Sequence, residues 1–413
     1  MIFQFFTDPI LRGPTLGSIF MCVASALMGT LIFFQKKTLL SESLSHAAYP
    51  GACLGAFLFS LLFPDLNEWA FLGVLLGAFI SSLLGLKAIE HLKRGRVTAD
   101  AALTLILALF FGFGVVVVSA MQTVRPKVAK QVQMLLFGQA ATMSDMHIWI
   151  YGVLGIAIIL FLFCMYRPLQ AFLFDPHFAR CAKVPVRALE KIVFWLLILS
   201  IVVSIRSVGV ILMSGMLIAP AVAGRSFANR LDHVLQLSAL FGALSAFLGS
   251  ILSVHFDLPT GPSIVLVGSF FALFGLLFSP SRGLLFRLYR MGAFRMKCAQ
   301  ENLLKKMWKR GEKDFALTLI EKMALLPLRR AGWVDRGGGL TQDGRVKAAL
   351  IVRLHRLWEL YLTEELGFSA ERVHRTAEEM EHILTKEMEE RLTQLLEDPK
   401  RDPHDQPIPA KEY

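Results

Sequence analysis

Six stretches of this chain, 16–35, 69–88, 100–120, 148–166, 236–254 and 263–280, are apolar for long enough to cross a bilayer as helices. No other property narrows the fold as far, because backbone polar groups inside hydrocarbon must be satisfied within the spanning structure itself. A shorter apolar run lies at 47–63. A long one at 191–223 is interrupted by Arg206, Gly209, Gly215 and Pro220. Reading the interrupted run as two segments gives nine spans, and reading it as one gives eight. With 55% of its residues hydrophobic, the chain is expected to be all-α: a polytopic transmembrane bundle of 8–9 spans, then a mostly helical cytoplasmic domain.

Basic loops set the orientation, since Lys and Arg accumulate on the cytoplasmic side. Lys36 and Lys37, with the stretches 91–96, 180–191 and 225–230, all fall there if nine spans start from an outside N-terminus. The stretch with Arg125, Lys127 and Lys130 falls outside and breaks the rule, so it reads as part of a re-entrant segment around 134–138. The net charge of +11 is what such loops produce and is no sign of nucleic acid. The five cysteines form no C-x-x-C pair and no disulfide framework.

Past residue 280 the composition becomes polar. Arg287, Arg290, Arg295 and Lys297 make 283–297 a basic juxtamembrane linker suited to an anionic leaflet. Leu303, Leu304, Met307 and Trp308 recur at helical spacing, and further helices are expected at 314–323 and 324–331. Residues 332–341 read as strand, tight turn and strand. Helices are expected again at 342–363, 369–385 and 386–396, before a tail too rich in proline to be regular.

Two constellations could hold a metal. In S-E-S-L-S-H, Glu42 and His46 are four residues apart, on one face of a helix. At bilayer depth such residues usually face a bundle interior or a water-filled path. Oxygen and nitrogen donors suit a divalent transition metal; a helix-start carboxylate beside a satisfied histidine is the other reading. In the tail, His355 and Glu359 are an i, i+4 pair, and His374, Glu378, Glu381 and His382 form one helical stripe. Without a thiolate, these donors favour Mn²⁺ or Fe²⁺, with Zn²⁺ third. A Glu-rich solvated helix explains the same letters. No Walker A pattern occurs, and no nucleophile–base arrangement, so the chain is expected not to be an enzyme; any ATPase is another subunit.

The residues L-L-S-E-S-L-S-H-A-A-Y-P-G at 39–51, S-V-G-V-I-L-M-S-G-M-L-I-A-P-A at 207–221 and D-L-P-T-G-P-S-I-V-L at 257–266 resemble the manganese/zinc/iron permeases of ABC transporters, in order, over about 10–280. The resemblance implies a bacterial inner-membrane permease and a second permease subunit, identical or paralogous. It also implies an ATP-binding cassette ATPase and an extracytoplasmic metal-binding protein. Glu42 and His46 fall at metal-path positions, with Glu42 where aspartate is usual. Residues 223–231 are the candidate ATPase-docking element, or an ordinary basic loop.

Residues 332–409, with H-R-L-W-E-L-Y-L, V-H-R-T-A-E-E-M-E-H and D-P-H-D-Q-P-I-P, resemble the metal-binding and dimerisation domain of the diphtheria-toxin-repressor family. By that resemblance His355, Glu359 and His374 fall at one set of ligand positions, and Glu378, Glu381 and His382 at the other. Aligned on Trp308, the first helix offers only weak ligands, Asn302 with Glu301 beside it. The implied organisation is a permease domain (1–282), the linker (283–297), a degenerate winged helix-turn-helix (298–345) and a metal-binding and dimerisation domain (346–413). Arg329, Arg330 and Arg336 are candidate contacts to DNA phosphates, which position a protein without reading sequence. The chain is thus expected to import a divalent metal and to sense it in the cytoplasm. Its tail either represses metal-uptake genes at operator DNA or regulates its own pore without binding DNA.

Overall fold

The computed structural model describes residues 3–62, 70–95, 97–310, 318–369 and 385–410, together with 373, 377, 378, 380, 382 and 383. Apart from two isolated β-bridges, the regular structure described is helical, in two compact units, Met1–Phe286 and Arg287–Tyr413.

The first unit runs α1 (Gln4–Thr7), α2 (Pro9–Phe34), α3 (Thr38–Leu62), α4 (Ala70–Lys93), α5 (Ala99–Val124), α6 (Pro126–Gln133), α7 (Asp145–Cys164), α8 (Tyr166–Phe174), α9 (Pro176–Cys181), α10 (Val186–Val208), α11 (Met213–Phe227), α12 (Leu231–Phe256) and α13 (Thr260–Phe278). Among the described residues eight of these, α2, α3, α4, α5, α7, α10, α12 and α13, are long and apolar enough to cross a membrane. The interrupted run divides into α10 and the shorter α11.

Contacts at the two ends of the bundle show where α11 goes. At one end Lys37 pairs with Glu190 at 2.6 Å, Arg282 donates to Asn229 at 2.9 Å, and the Ser279 hydroxyl donates to the Ser226 carbonyl. At the other, Arg12 pairs with Asp145, and Gly138 and Gly209 abut close to Gly261. α11 therefore passes from the second end to the first alongside α13. Its 15 residues rise only about 22 Å.

The segment expected to re-enter is a short 3₁₀ turn, Met134–Leu136, lodged against the α10–α11 break. Val210 N donates to the Leu135 carbonyl at 3.0 Å, Ile211 N to Leu136 at 3.3 Å, and Gln139 N to Arg206 at 2.9 Å. Irregular backbone is thereby satisfied by protein, the condition for placing it inside a membrane bundle. Gly138 and Gly209 have φ of +74° and +89°, which side-chain-bearing residues rarely adopt, and they touch each other.

Helices α3 and α4 meet through a seam of glycines, Gly51 and Gly55 against Gly73 and Gly77. A methyl group on Gly51 would lie 2.0 Å from the Gly77 carbonyl oxygen, and one on Gly55 2.0 Å from that of Gly73. Small residues four apart on both helices bring the backbones into contact, the common solution where lipid supplies no hydrophobic drive between helices.

The second unit contains α14 (Leu284–Arg310), α15 (Leu319–Arg330), α16 (Gln342–Glu364) and α17 (Lys386–Leu395). The expected linker 283–297 is helical, because α14 runs through it without a break. Where helices were expected at 314–323 and 324–331, residues 319–330 form one helix; residues 311–317 lie outside the described residues. Thr318 and Glu321 form a capping box at its start, and Pro327 sits in its last turns without ending it. The expected wing strands reduce to one bridge, Val334 to Leu340, around the Gly338 turn. Most of the helix expected at 369–385 lies outside the described residues. Leu303, Leu304 and Met307 of α14 pack on Ala324, Leu328, Val334, Ala348 and Ile351.

The proline-rich end is irregular but firmly held. Arg353, 5% exposed, pairs with the fully buried Glu389 at 2.9 Å and donates to the Pro409 carbonyl at 2.9 Å. Arg356 pairs with Asp402 at 3.3 Å and donates to the Pro407 carbonyl. Asp402 also accepts from the backbone N–H of His404 and Gln406. Two buried guanidiniums on α16 thus strap residues 398–409 down.

Candidate metal sites

In the membrane unit, helical spacing puts Glu42 and His46 on one face of α3, where both are half-buried. The serines around them are occupied: Ser41 donates to the Thr38 carbonyl, Ser45 to Glu42, and Ser43 to Leu103 of α5. His46 differs. Its Nδ1 is buried and makes no hydrogen bond among the described residues, while the Phe111 ring meets the imidazole edge-on at 5.0 Å. Pro50, four residues on, lacks the N–H that would otherwise hold the His46 carbonyl. A carboxylate, an unpartnered ring nitrogen and a released carbonyl therefore occur within about one turn of one helix. An orphaned buried nitrogen costs about 1–3 kcal/mol, and a passing cation would satisfy it. A separate groove of about 520 Å³ between α3, α4 and α5, lined by Leu54, Leu58, Phe59, Leu76 and Phe113, has no charged lining and offers a cation nothing.

In the second unit the expected ligands divide. His355 and Glu359 are buried and adjacent, with Nε2 to Oε1 at 3.2 Å. His382 is buried and its Nδ1 lies 2.7 Å from Glu301 Oε2. Glu378 is exposed, and His374 and Glu381 lie outside the described residues. Of the two weak candidates on the first helix, Asn302 is exposed and Glu301 turns inward, so the register differs by one from the expected one. Among the described residues no three His, Cys, Asp or Glu side chains are arranged to hold a metal.

The carboxylates fix the tautomers, since a carboxylate facing a neutral imidazole must receive its N–H. Glu301 faces Nδ1 of His382 and is placed to take its N–H. That is the carboxylate–histidine arrangement that orients metal-ligating imidazoles, so Glu301 is placed to steer His382 rather than to be a ligand itself. Glu359 takes the Nε2–H of His355, leaving the lone pair on Nδ1, where the Lys305 ammonium donates at 3.2 Å. Sequence reasoning missed Lys305. The signal was present: Glu301, Leu304, Lys305 and Trp308 share one face of a helix, so a buried Leu304 draws Lys305 inward.

The candidate phosphate contacts Arg329, Arg330 and Arg336 are all exposed. Arg329 donates to the Arg336 carbonyl at 3.3 Å, within the turn they share. On α15 the exposed residues are Leu319, Ile320, Met323 and Leu326, unsuited to hydrogen-bonding base edges, together with Lys322, Arg329 and Arg330.

The profile of the ABC 3 transport family matches residues 7–279, more than half of the chain. The chain belongs to that family. This permease also carries a C-terminal domain of a second kind, since residues 341–410 match the iron dependent repressor, metal binding and dimerisation domain. It is 34% identical to a probable metal transport system membrane protein of Chlamydia trachomatis, over 100% of this chain and 98% of that protein. The manganese transport system membrane protein MntC of Bacillus subtilis is 27% identical, over 85% of this chain and 83% of its own. The zinc transport system membrane protein TroC of Treponema pallidum is 31% identical, over 70% and 95%. Among solved structures, PsaBC from Streptococcus pneumoniae in complex with Fab aligns with a TM-score of 0.59 and 26% identity, covering 68% of this chain and 96% of that one.

Proposed function

We propose that this permease is the membrane subunit of an ABC importer for a divalent transition metal, Mn²⁺ or Fe²⁺ ahead of Zn²⁺, with Glu42 and His46 on the metal path. The observation that carries this reading is the buried, unpartnered His46 Nδ1 one turn from a carboxylate within a membrane-spanning helix. The manganese and zinc transport relatives support the cargo class. In this reading a separate ATPase energises the cycle, an outer metal-binding protein delivers the ion, and a second permease subunit completes the pore. The end of the bundle carrying Lys37, Lys93, Arg187, Arg225 and Arg282 faces the cytoplasm, following the positive-inside bias. Residues 223–231 are at that end, where an ATPase would dock.

The experiment is uptake of radioactive Mn²⁺ by cells carrying this chain with the ATPase and binding protein of its gene cluster. Uptake abolished by His46→Ala supports the proposal, and uptake unchanged in that variant overturns it.

The tail is proposed to sense the imported metal at the His382 side and to act on the transporter. The exposed apolar residues of α15 and the single-bridge wing favour this over operator binding. Repression at operator DNA is the second reading, favoured by Arg330 and Arg336 standing exposed beside the wing turn. Retention of the gene cluster's promoter fragment by the detergent-solubilised chain, only with Mn²⁺ present, would establish the second reading and displace the first.

A further inference from the structure

Among the described residues, Lys305 distinguishes the two histidine pockets of the tail. Its side chain is buried at 6% exposure, and its ammonium donates to the one ring nitrogen of His355 that carries a lone pair. On the far side of the same ring, Glu359, 2% exposed, takes the remaining N–H. Ammonium, imidazole and carboxylate lie in one line, and a charged lysine is buried only with partners of this kind. A metal reaching His355 would have to displace Lys305 from the lone pair, and it would bring two positive charges beside a resident one.

The same helix face repeats the device more weakly at the other pocket. Lys297, Glu301 and Lys305 are spaced i, i+4, i+8 along α14. Lys297 lies 3.9 Å from Glu301 and donates to the His382 carbonyl at 3.1 Å, away from the ring. The imidazole of His382 is oriented by Glu301, and that of His355 is capped by Lys305.

We propose that Lys305 is the resident cation of the His355–Glu359 pocket, so that this pocket takes no metal and the tail folds around an ammonium there. Metal binding by the tail is then confined to the His382 side. That last clause rests on the sensing reading above; the assignment of Lys305 does not.

The test counts Mn²⁺ bound per full-length chain in detergent micelles by elemental analysis. His355→Gln is expected to bind as many ions as the wild type, and Lys305→Glu one more, the gain being lost again when His355→Gln is added. A wild-type count that falls by one in His355→Gln, or a count unchanged in Lys305→Glu, overturns the proposal. Thermal unfolding of the tail guards against a variant that merely misfolds. Metal-free Lys305→Met is expected to melt below the wild type and to be restored by Mn²⁺, whereas melting indifferent to the substitution overturns the assignment. A count unchanged in His382→Gln would refute the sensing reading while leaving Lys305 where it is.

Discussion

At the scale of single residues, the two most informative side chains are ones whose partners are unusual for their type. Among the described residues His46 has a buried nitrogen with no hydrogen-bond partner, and Lys305 has a partner that a metal would want. Glu42→Gln is expected to reduce Mn²⁺ uptake by at least ~10-fold, the lower bound for disturbing a metal site; Glu42→Asp, which keeps the charge, should retain most of it. Initial uptake rates at matched expression decide this. A pH effect belongs to Glu321. The Lys306 ammonium at 2.8 Å, and then the Thr318 N–H, hold its carboxyl down to about 2, below its ordinary 4.5. A carboxyl lowered in the folded state stabilises it above the unfolded value and loses that contribution as pH falls through the folded one. The tail should therefore lose stability between about pH 4.5 and 2, and Glu321→Gln should flatten that part of the profile in thermal melts. Glu42 and His46 were legible in the sequence because i, i+4 spacing survives in any helix. Lys305 was legible only through its neighbours, since a lysine in a basic run looks solvated unless Glu301, Leu304 and Trp308 are seen to share its helix face.

At the scale of elements, the apolar spans were readable from length alone, and the α10–α11 break from its glycines and proline. What fills the break was only half readable. Basic residues on the wrong side flagged 125–130, but the backbone bonds between 135–139 and 206–211 join segments seventy residues apart, beyond any local pattern. The winged region was misread for a related reason: a boundary was expected between 323 and 324, yet the capping box at Thr318 and packing of Ala324 and Leu328 on α14 carry one helix through it. The α3–α4 seam gives the prediction at this scale. Gly77→Leu forces atoms into the Gly51 backbone and should cost more than the usual 1–3 kcal/mol of overpacking, seen as loss of folded protein in size-exclusion profiles. Gly152→Leu is the control, since nothing lies within 4 Å of its side-chain position, and it should purify like the wild type.

At the scale of the whole molecule, the chain is a permease and a regulator-like domain in one polypeptide, and each has its own core. Deleting 287–413 is expected to leave Mn²⁺ uptake intact and to remove its dependence on cytosolic metal, measured in metal-loaded against metal-starved cells. Within the tail, the Arg353–Glu389 pair is the main vulnerability. Arg353→Ala leaves a buried carboxylate uncompensated and should cost about 3–5 kcal/mol, while Arg353→Met with Glu389→Leu should recover most of it in denaturant titrations. Proline content alone gave no hint of this strap, because its order comes from carbonyls reaching two arginines fifty residues away.

Helix α14 passes through the junction without an extended stretch, and exposed loops rather than helices are where proteases nick. On the reading of the tail as a metal sensor, every permease subunit is therefore synthesised with one gauge attached. The number of gauges then follows the number of permease subunits at any expression level, so the set point of the response would not drift with gene dosage.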